Sequence, residues 1–338
     1  MMENGILKGR NIIFDMMKGV AIISVIVGHL DNCADVNDYF IYKVVHKIIY
    51  SFHMPLFFIV SGFFYKKKTF WNDLRRLFVP YIFVCFVCVL FMIIEAFGTQ
   101  LDQNEKLCRF IERALWGSGG YSEAPLFGKV PDFLPIWFLP ALLWCKQVFT
   151  IVHRCCNGLL NKGFVCLIIS IAFTYIDRNL IYIPFSFNQG LSAIIFYYIG
   201  YAVRAYGLDT LSNLSKWFGY AAIVIVLINL PLGTILLAGC KYQCYPLNIL
   251  GATCTTWLIY YLCKKYIIKL SLFSSFLSWT GSLSLLVLCV HSILIEIRLF
   301  YPLPSYPILV LLASVIYCII LVWILSKIGL IRYLFQIR

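Results

Sequence analysis

Apolar runs long enough to cross a bilayer follow one another from end to end of this chain, and they constrain its fold more than any motif does. About 20 mostly apolar residues span the hydrocarbon core as a helix. Within that core only helices and closed barrels satisfy every backbone polar group. Ten runs can be read, near residues 12–30, 46–65, 77–97, 133–152, 163–178, 188–206, 217–238, 245–263, 275–297 and 305–326, the fifth being short. They predict an all-α, polytopic integral membrane protein of about ten transmembrane helices, with residues 1–338 as a single domain. Charged residues are only 13% of the chain, against roughly 25% in a soluble domain. Neither a repeat nor a low-complexity tract interrupts the pattern, and no soluble catalytic domain fits between the runs. The longest break, 98–132, carries the polar stretch WGSGGYSEAP and is long enough to be a lid or a docking surface.

Basic residues set the expected orientation. With both termini and the even-to-odd loops in the cytoplasm, seventeen Lys and Arg fall inside, among them Lys8, Lys66, Lys67, Lys68 and Arg338. Nine, including Arg178 and Arg298, fall outside. The excess inside predicts a multi-pass protein of the inner (cytoplasmic) membrane with both termini cytoplasmic. The net charge of +13 is then a matter of topology, and no nucleic-acid partner is needed to explain it. The first run reads as a membrane span and not as a cleavable signal peptide, because it is long and internally charged.

Most of the fourteen cysteines lie inside runs, where a thiol behaves as a small apolar group. Cys85 and Cys88 form a C-x-x-C in the third run, read as packing. Cys240 and Cys244 fall in an outer loop, where both a disulfide and two separate thiols are open readings. No His/Cys/Asp set is read as a metal centre, so no metal is expected.

The first run, NIIFDMMKGVAIISVIVGHL, holds three ionisable side chains, Asp15, Lys18 and His29. Each costs roughly 2.5–3.5 kcal/mol at bilayer depth, so such groups face a bundle interior or a wet cavity. At about 100° per residue all three share one helix face, with His29 about 16 Å beyond Lys18. The expected orientation puts His29 near the outer end of its helix. His53, Trp137, Phe138 and His291 fall at a similar depth in the second, fourth and ninth runs.

These stretches are similar, in order over nearly the full chain, to the acyltransferase type 3 family of membrane O-acyltransferases. Lys18 and His29, with ten residues between them, match that family's R/K-x10-H pattern. HMPLFFIVSGFF at 53–64 resembles its MPLFF-x-x-SG segment, and IWFLPALL at 136–143 its WFL segment. RRLFVPY at 75–81 looks like the basic start of its third helix, and SLLVLCVHSIL at 284–294 like its late His-bearing helix. The HMPLFF variant is nearest the fucose 4-O-acetylase-like branch. One departure is that adjacent Arg75 and Arg76 replace the R-x-x-R spacing.

The resemblance implies an enzyme that takes an acyl group, usually acetyl from acetyl-CoA, and places it on a sugar hydroxyl of an envelope glycan or exopolysaccharide. Its expected partners are acyl-CoA, a glycan or lipid-linked sugar acceptor and the bilayer. An alcohol attacking a thioester must lose its proton as the bond forms, and neutral imidazole suits that near pH 7; His29 is the expected general base. For Lys18 and Asp15 two readings stand, a buried ion pair easing insertion and a wet channel wall near the donor. Arg75 and Arg76 are expected at the donor's phosphates, where a planar guanidinium binds well. His53, Ser61, Trp137, Phe138 and His291 are candidates on the substrate side. Ser61 and Gly62 also suit close helix packing, and Trp137 also suits interfacial anchoring.

Two other classes remain compatible with buried charge in a multi-span protein: a polysaccharide flippase or transporter, and a glycan polymerase. The chain lacks the paired broken helices in two halves expected of the first, and its outer arginines are scattered, unlike those expected of the second.

Overall fold

In a computed structural model, residues 6–7, 10–29, 39–98, 103–120, 122–124, 128–207, 216–232, 235–297 and 307–336 are described. Lys8, Arg298 and Arg338, used above for orientation, lie outside them, as do the ends of the first and last runs and parts of the 98–132 loop.

Among the described residues the architecture is helical, with three short antiparallel ribbons. Helix α1 covers Ile12–Gly28, α2 Phe40–Tyr50, α3 His53–Phe63, α4 Phe70–Gly98 and α5 Gln103–Trp116. Then come α6 at Phe138–Cys155, α7 at Leu159–Asn179, α8 at Phe187–Ser192 and α9 at Ile194–Tyr206. The last six are α10 at Lys216–Leu232, α11 at Tyr245–Lys265, α12 at Ser271–Ser282, α13 at Ser284–Glu296, α14 at Pro307–Leu325 and α15 at Gly329–Leu334.

Among the described residues each apolar run is largely helical, yet not every run is one straight helix. Four stretches among the described residues are long and apolar enough to cross a membrane: Phe40–Phe63, Phe70–Glu95, Pro135–Cys155 and Leu159–Asp177. The bent pair α12 and α13 adds a fifth if counted as one span, with 74° between its halves. Three of the ten runs, the second, sixth and ninth, are each broken, at Ser51–Phe52, Ala193 and Leu283. Long apolar side chains such as Phe86, Ile94 and Phe164 are exposed on α4 and α7, as lipid-facing positions require. The chain is a membrane protein.

A helix break inside a membrane leaves carbonyls that something else must satisfy. At the second run, Pro55 falls in the first turn of α3, where its missing N–H is harmless, and the His53 ring donates from Nδ1 to the Ile49 carbonyl at 2.8 Å. At the sixth, the Ser192 carbonyl accepts from Ser170 Oγ and from Tyr242 Oη, the latter at 2.8 Å.

Two close helix crossings frame the interior. Helix α1 meets α12 where Gly19 lies on the Leu277 carbonyl and Gly281 on that of Asp15; a Cβ at either glycine would overlap the opposing backbone. Helix α3 meets α9 in the same way, with Gly62 against Tyr197 and Gly200 against Ile59. Backbones approach this closely only where no side chain intervenes.

Candidate active site

Between these crossings lies a cavity of about 1480 Å³. Helix α1 contributes a wall along its whole length, from Asn11 through Asp15, Lys18, Ile22 and Val25 to His29. Those positions recur at helical spacing on a single face, so the polar stripe of the sequence and the cavity wall are the same surface. Between the ion pair and the imidazole the stripe is apolar, at Ile22 and Val25.

Asp15 and Lys18 are paired, with Nζ 2.6 Å from Oδ1 and side-chain exposures of 8% and 27%. Both residues of the pair also line the cavity. His29 closes α1 as its C-cap. Its Nδ1 lies 2.7 Å from the Val25 carbonyl. A carbonyl only accepts, so Nδ1 carries the proton and Nε2 is the basic nitrogen. The Nδ1 bond of His53 to Ile49 fixes the same tautomer there.

His53, Ser61, Trp137 and Phe138 all line the cavity. His291 does not; it is buried behind His29, its Nε2 has no hydrogen-bond partner, and the two rings meet edge-on. Tyr50, which sequence reasoning passed over, lies edge-on to His53 with ring centroids 4.9 Å apart, and stacks on His46 at 3.9 Å. The indole of Trp137 is covered on one face by the backbone of Gly119, where a Cβ would strike the ring. Next to this corner the cavity is roofed by Ile235, Leu236, Leu237 and Ala238.

The opposite end is cationic. Arg75, Arg76, Lys66 and Lys68 line it, whereas Lys67 lies off the wall. Partial desolvation, then Arg76 and Lys146 nearby, hold the Lys68 amine below its usual range. Sequence reasoning missed five side chains at this end. Asp73, Lys146 and Gln147 form a network across α4 and α6, and Arg332 and Tyr333 reach the cavity from α15. Lys146 had a signal, being an ionisable residue inside the fourth apolar run. Asp73 had none, because the third run was taken to begin at residue 77 and α4 begins at Phe70.

Among the described residues no three His, Cys, Asp or Glu side chains are grouped to hold a metal. Cys240 is buried and Cys244 exposed, and the two are not joined to each other. Cys85 and Cys88 are packed against the core.

A family model described as an acyltransferase domain matches residues 11–327. Nodulation protein NolL of Sinorhizobium fredii is 45% identical over 56 residues, which is 16% of this chain and 15% of that protein. The match thus covers well under two thirds of the length of that relative. No solved structure matches the chain.

Proposed function

The chain belongs to the acyltransferase domain family, which matches residues 11–327, and from that premise we propose that it moves an acetyl group from acetyl-CoA to a hydroxyl of an envelope or exopolysaccharide sugar. The observation that carries this reading is the single cavity that holds a cluster of cations at one end and His29 at the other. A thioester donor with a phosphorylated head and a long neutral arm has that same polarity. Its head suits the cations, its arm the apolar stretch at Ile22 and Val25, and its thioester the imidazole.

In the reaction, the sugar hydroxyl gives its proton to His29 Nε2 as its oxygen bonds to the thioester carbonyl carbon. The C–S bond then breaks, the thiolate leaves with the CoA, and the proton on His29 is available to it. His53 and His291 stand beside this centre. The ion pair of Lys18 with Asp15 keeps a charged wall partway along the donor's path.

The reading extends to topology. Ten crossings, with both termini in the cytoplasm of an inner membrane, put the cationic end inside and His29 outside. Donor and acceptor then enter from opposite faces, and the acyl group crosses on the donor's arm. The test is a proteoliposome given labelled acetyl-CoA only on the side of the termini and acceptor glycan only on the other. Label in ester linkage to the glycan, abolished when the compartments are exchanged, is the expected result. Transfer that needs both substrates on one side would refute the crossing, and no transfer to any glycan would refute the acceptor class.

A further inference from the structure

The cationic end holds more positive charge than its own carboxylate balances. Lys66, Lys68, Arg75, Arg76, Lys146 and Arg332 line it around the carboxylate of Asp73. Gathering like charges is unfavourable unless an anion is to be received. The cations are not equivalent, however, because their partners differ.

Lys146 Nζ lies 2.5 Å from Asp73 Oδ1, and Gln147 Nε2 donates to Oδ2 at 3.1 Å. Two successive residues of α6 thus grip both oxygens of one carboxylate, which is itself only 2% exposed. That grip fixes the Lys146 side chain against the cavity, and an ammonium with three N–H groups keeps two for a ligand. A pair needed only for insertion would not stand among further cations; this one does, with Arg76 and Lys146 both near enough to Lys68 to hold its amine below the usual range, after partial desolvation.

Arg75 is committed elsewhere. Its guanidinium donates to Tyr333 Oη and lies over the Tyr333 ring, 4.9 Å from the centroid. On the same helix, Phe83 meets Phe335 edge-on at 5.9 Å. These contacts hold the segment around α15 against α4.

We propose that Lys146, fixed by Asp73, joins Arg76 and Lys68 as the site for the phosphates of the acyl donor, and that Arg75 fastens α15 to α4 without binding phosphate. This rests on the acyl-CoA reading above and goes beyond it in naming the residues that select a phosphorylated donor.

The test compares initial rates of the full-length protein in nanodiscs with acetyl-CoA and with S-acetylpantetheine, which has the thioester and arm but no phosphate. One charge-assisted hydrogen bond lost from a bound phosphate corresponds to a change of about tenfold or more. Lys146→Gln is therefore expected to raise KM for acetyl-CoA about tenfold, with kcat little changed, and to lower the preference for acetyl-CoA over S-acetylpantetheine by the same factor. Lys146→Arg should restore much of that preference, and Arg75→Gln should leave it at the wild-type level. An unchanged preference in Lys146→Gln, or an equal loss on both donors, overturns the assignment; equal loss would mark a purely structural lysine. A wild-type protein that already uses the two donors equally also overturns it, while leaving the transferase reading intact. A wild-type protein that uses neither removes the donor reading, and this site with it.

Discussion

His29 and His291 meet edge-on, ring centroids 5.8 Å apart and planes at 69°, although they lie on helices from opposite ends of the chain. Only His29 lies on the cavity wall. The two imidazoles therefore differ in what they can touch, and this difference makes a first prediction. His29→Ala should lower the transfer rate by about 10²–10⁴, the usual range for loss of a general base, in a protein that still folds. His291→Ala should cost less, because its ring lies off the cavity wall, against His29. Rates on size-exclusion-verified protein decide; a His291→Ala defect equal to that of His29→Ala would mean the second ring touches substrate.

Asp15 and Lys18 make a second. Removing one partner of a buried ion pair leaves an uncompensated charge, which typically costs about 3–5 kcal/mol; partial exposure of Lys18 should bring the loss below that. Asp15→Asn alone should lower the thermal midpoint in detergent. The double variant Asp15→Asn with Lys18→Met should recover most of it, but not activity if the pair lines the donor's path. Equal destabilisation by the single and double variants would deny the pairing its role.

The glycine crossings make a third. Gly281→Ala and Gly62→Ala each drive a methyl into an opposing backbone, and overpacking of this kind costs roughly 1–3 kcal/mol or more. Gly219, in α10, is the control, since a Cβ there meets only Trp257 at 3.9 Å. Gly219→Ala should be neutral or raise stability by up to about 1 kcal/mol through helix propensity. Thermal melts of the three variants side by side check the contrast.

Cysteine exposure makes a fourth. Cys244 and Cys155 are both exposed, whereas Cys240 is buried. With both termini cytoplasmic, a membrane-impermeant maleimide on intact cells should label Cys244 and spare Cys155 and Cys240, when each is the sole cysteine retained. Labelling of Cys155 from outside would invert the orientation, and with it the side from which the donor enters.

The first helix was legible from residue spacing, because Asp15, Lys18 and His29 need no partner to share a face. Membrane class was legible for a similar reason: apolar runs carry their own meaning. The helix breaks were not. The break at Ala193 depends on a hydroxyl from Tyr242, roughly fifty positions away in sequence, and nothing local to Ser192 announces it. Burial of Asp73 was hidden too, since a helix-start aspartate looks like an ordinary first-turn acid until Lys146 closes on it. In the sequence Arg332 counts only toward the basic excess on the inner side, and only the fold of α15 against α4 brings it and Tyr333 to the cavity.

Helix α1 is unbroken from Ile12 to Gly28, and so it works as a ruler. The interval between the Asp15–Lys18 pair and the imidazole is set by helical rise, about 16 Å, with no loop to absorb an error. One inserted residue would turn His29 by about 100° off the cavity face, so gauge and bearing cannot be changed independently. On the proposed donor reading, an arm cut short by one unit leaves the imidazole out of reach, however well the head is held.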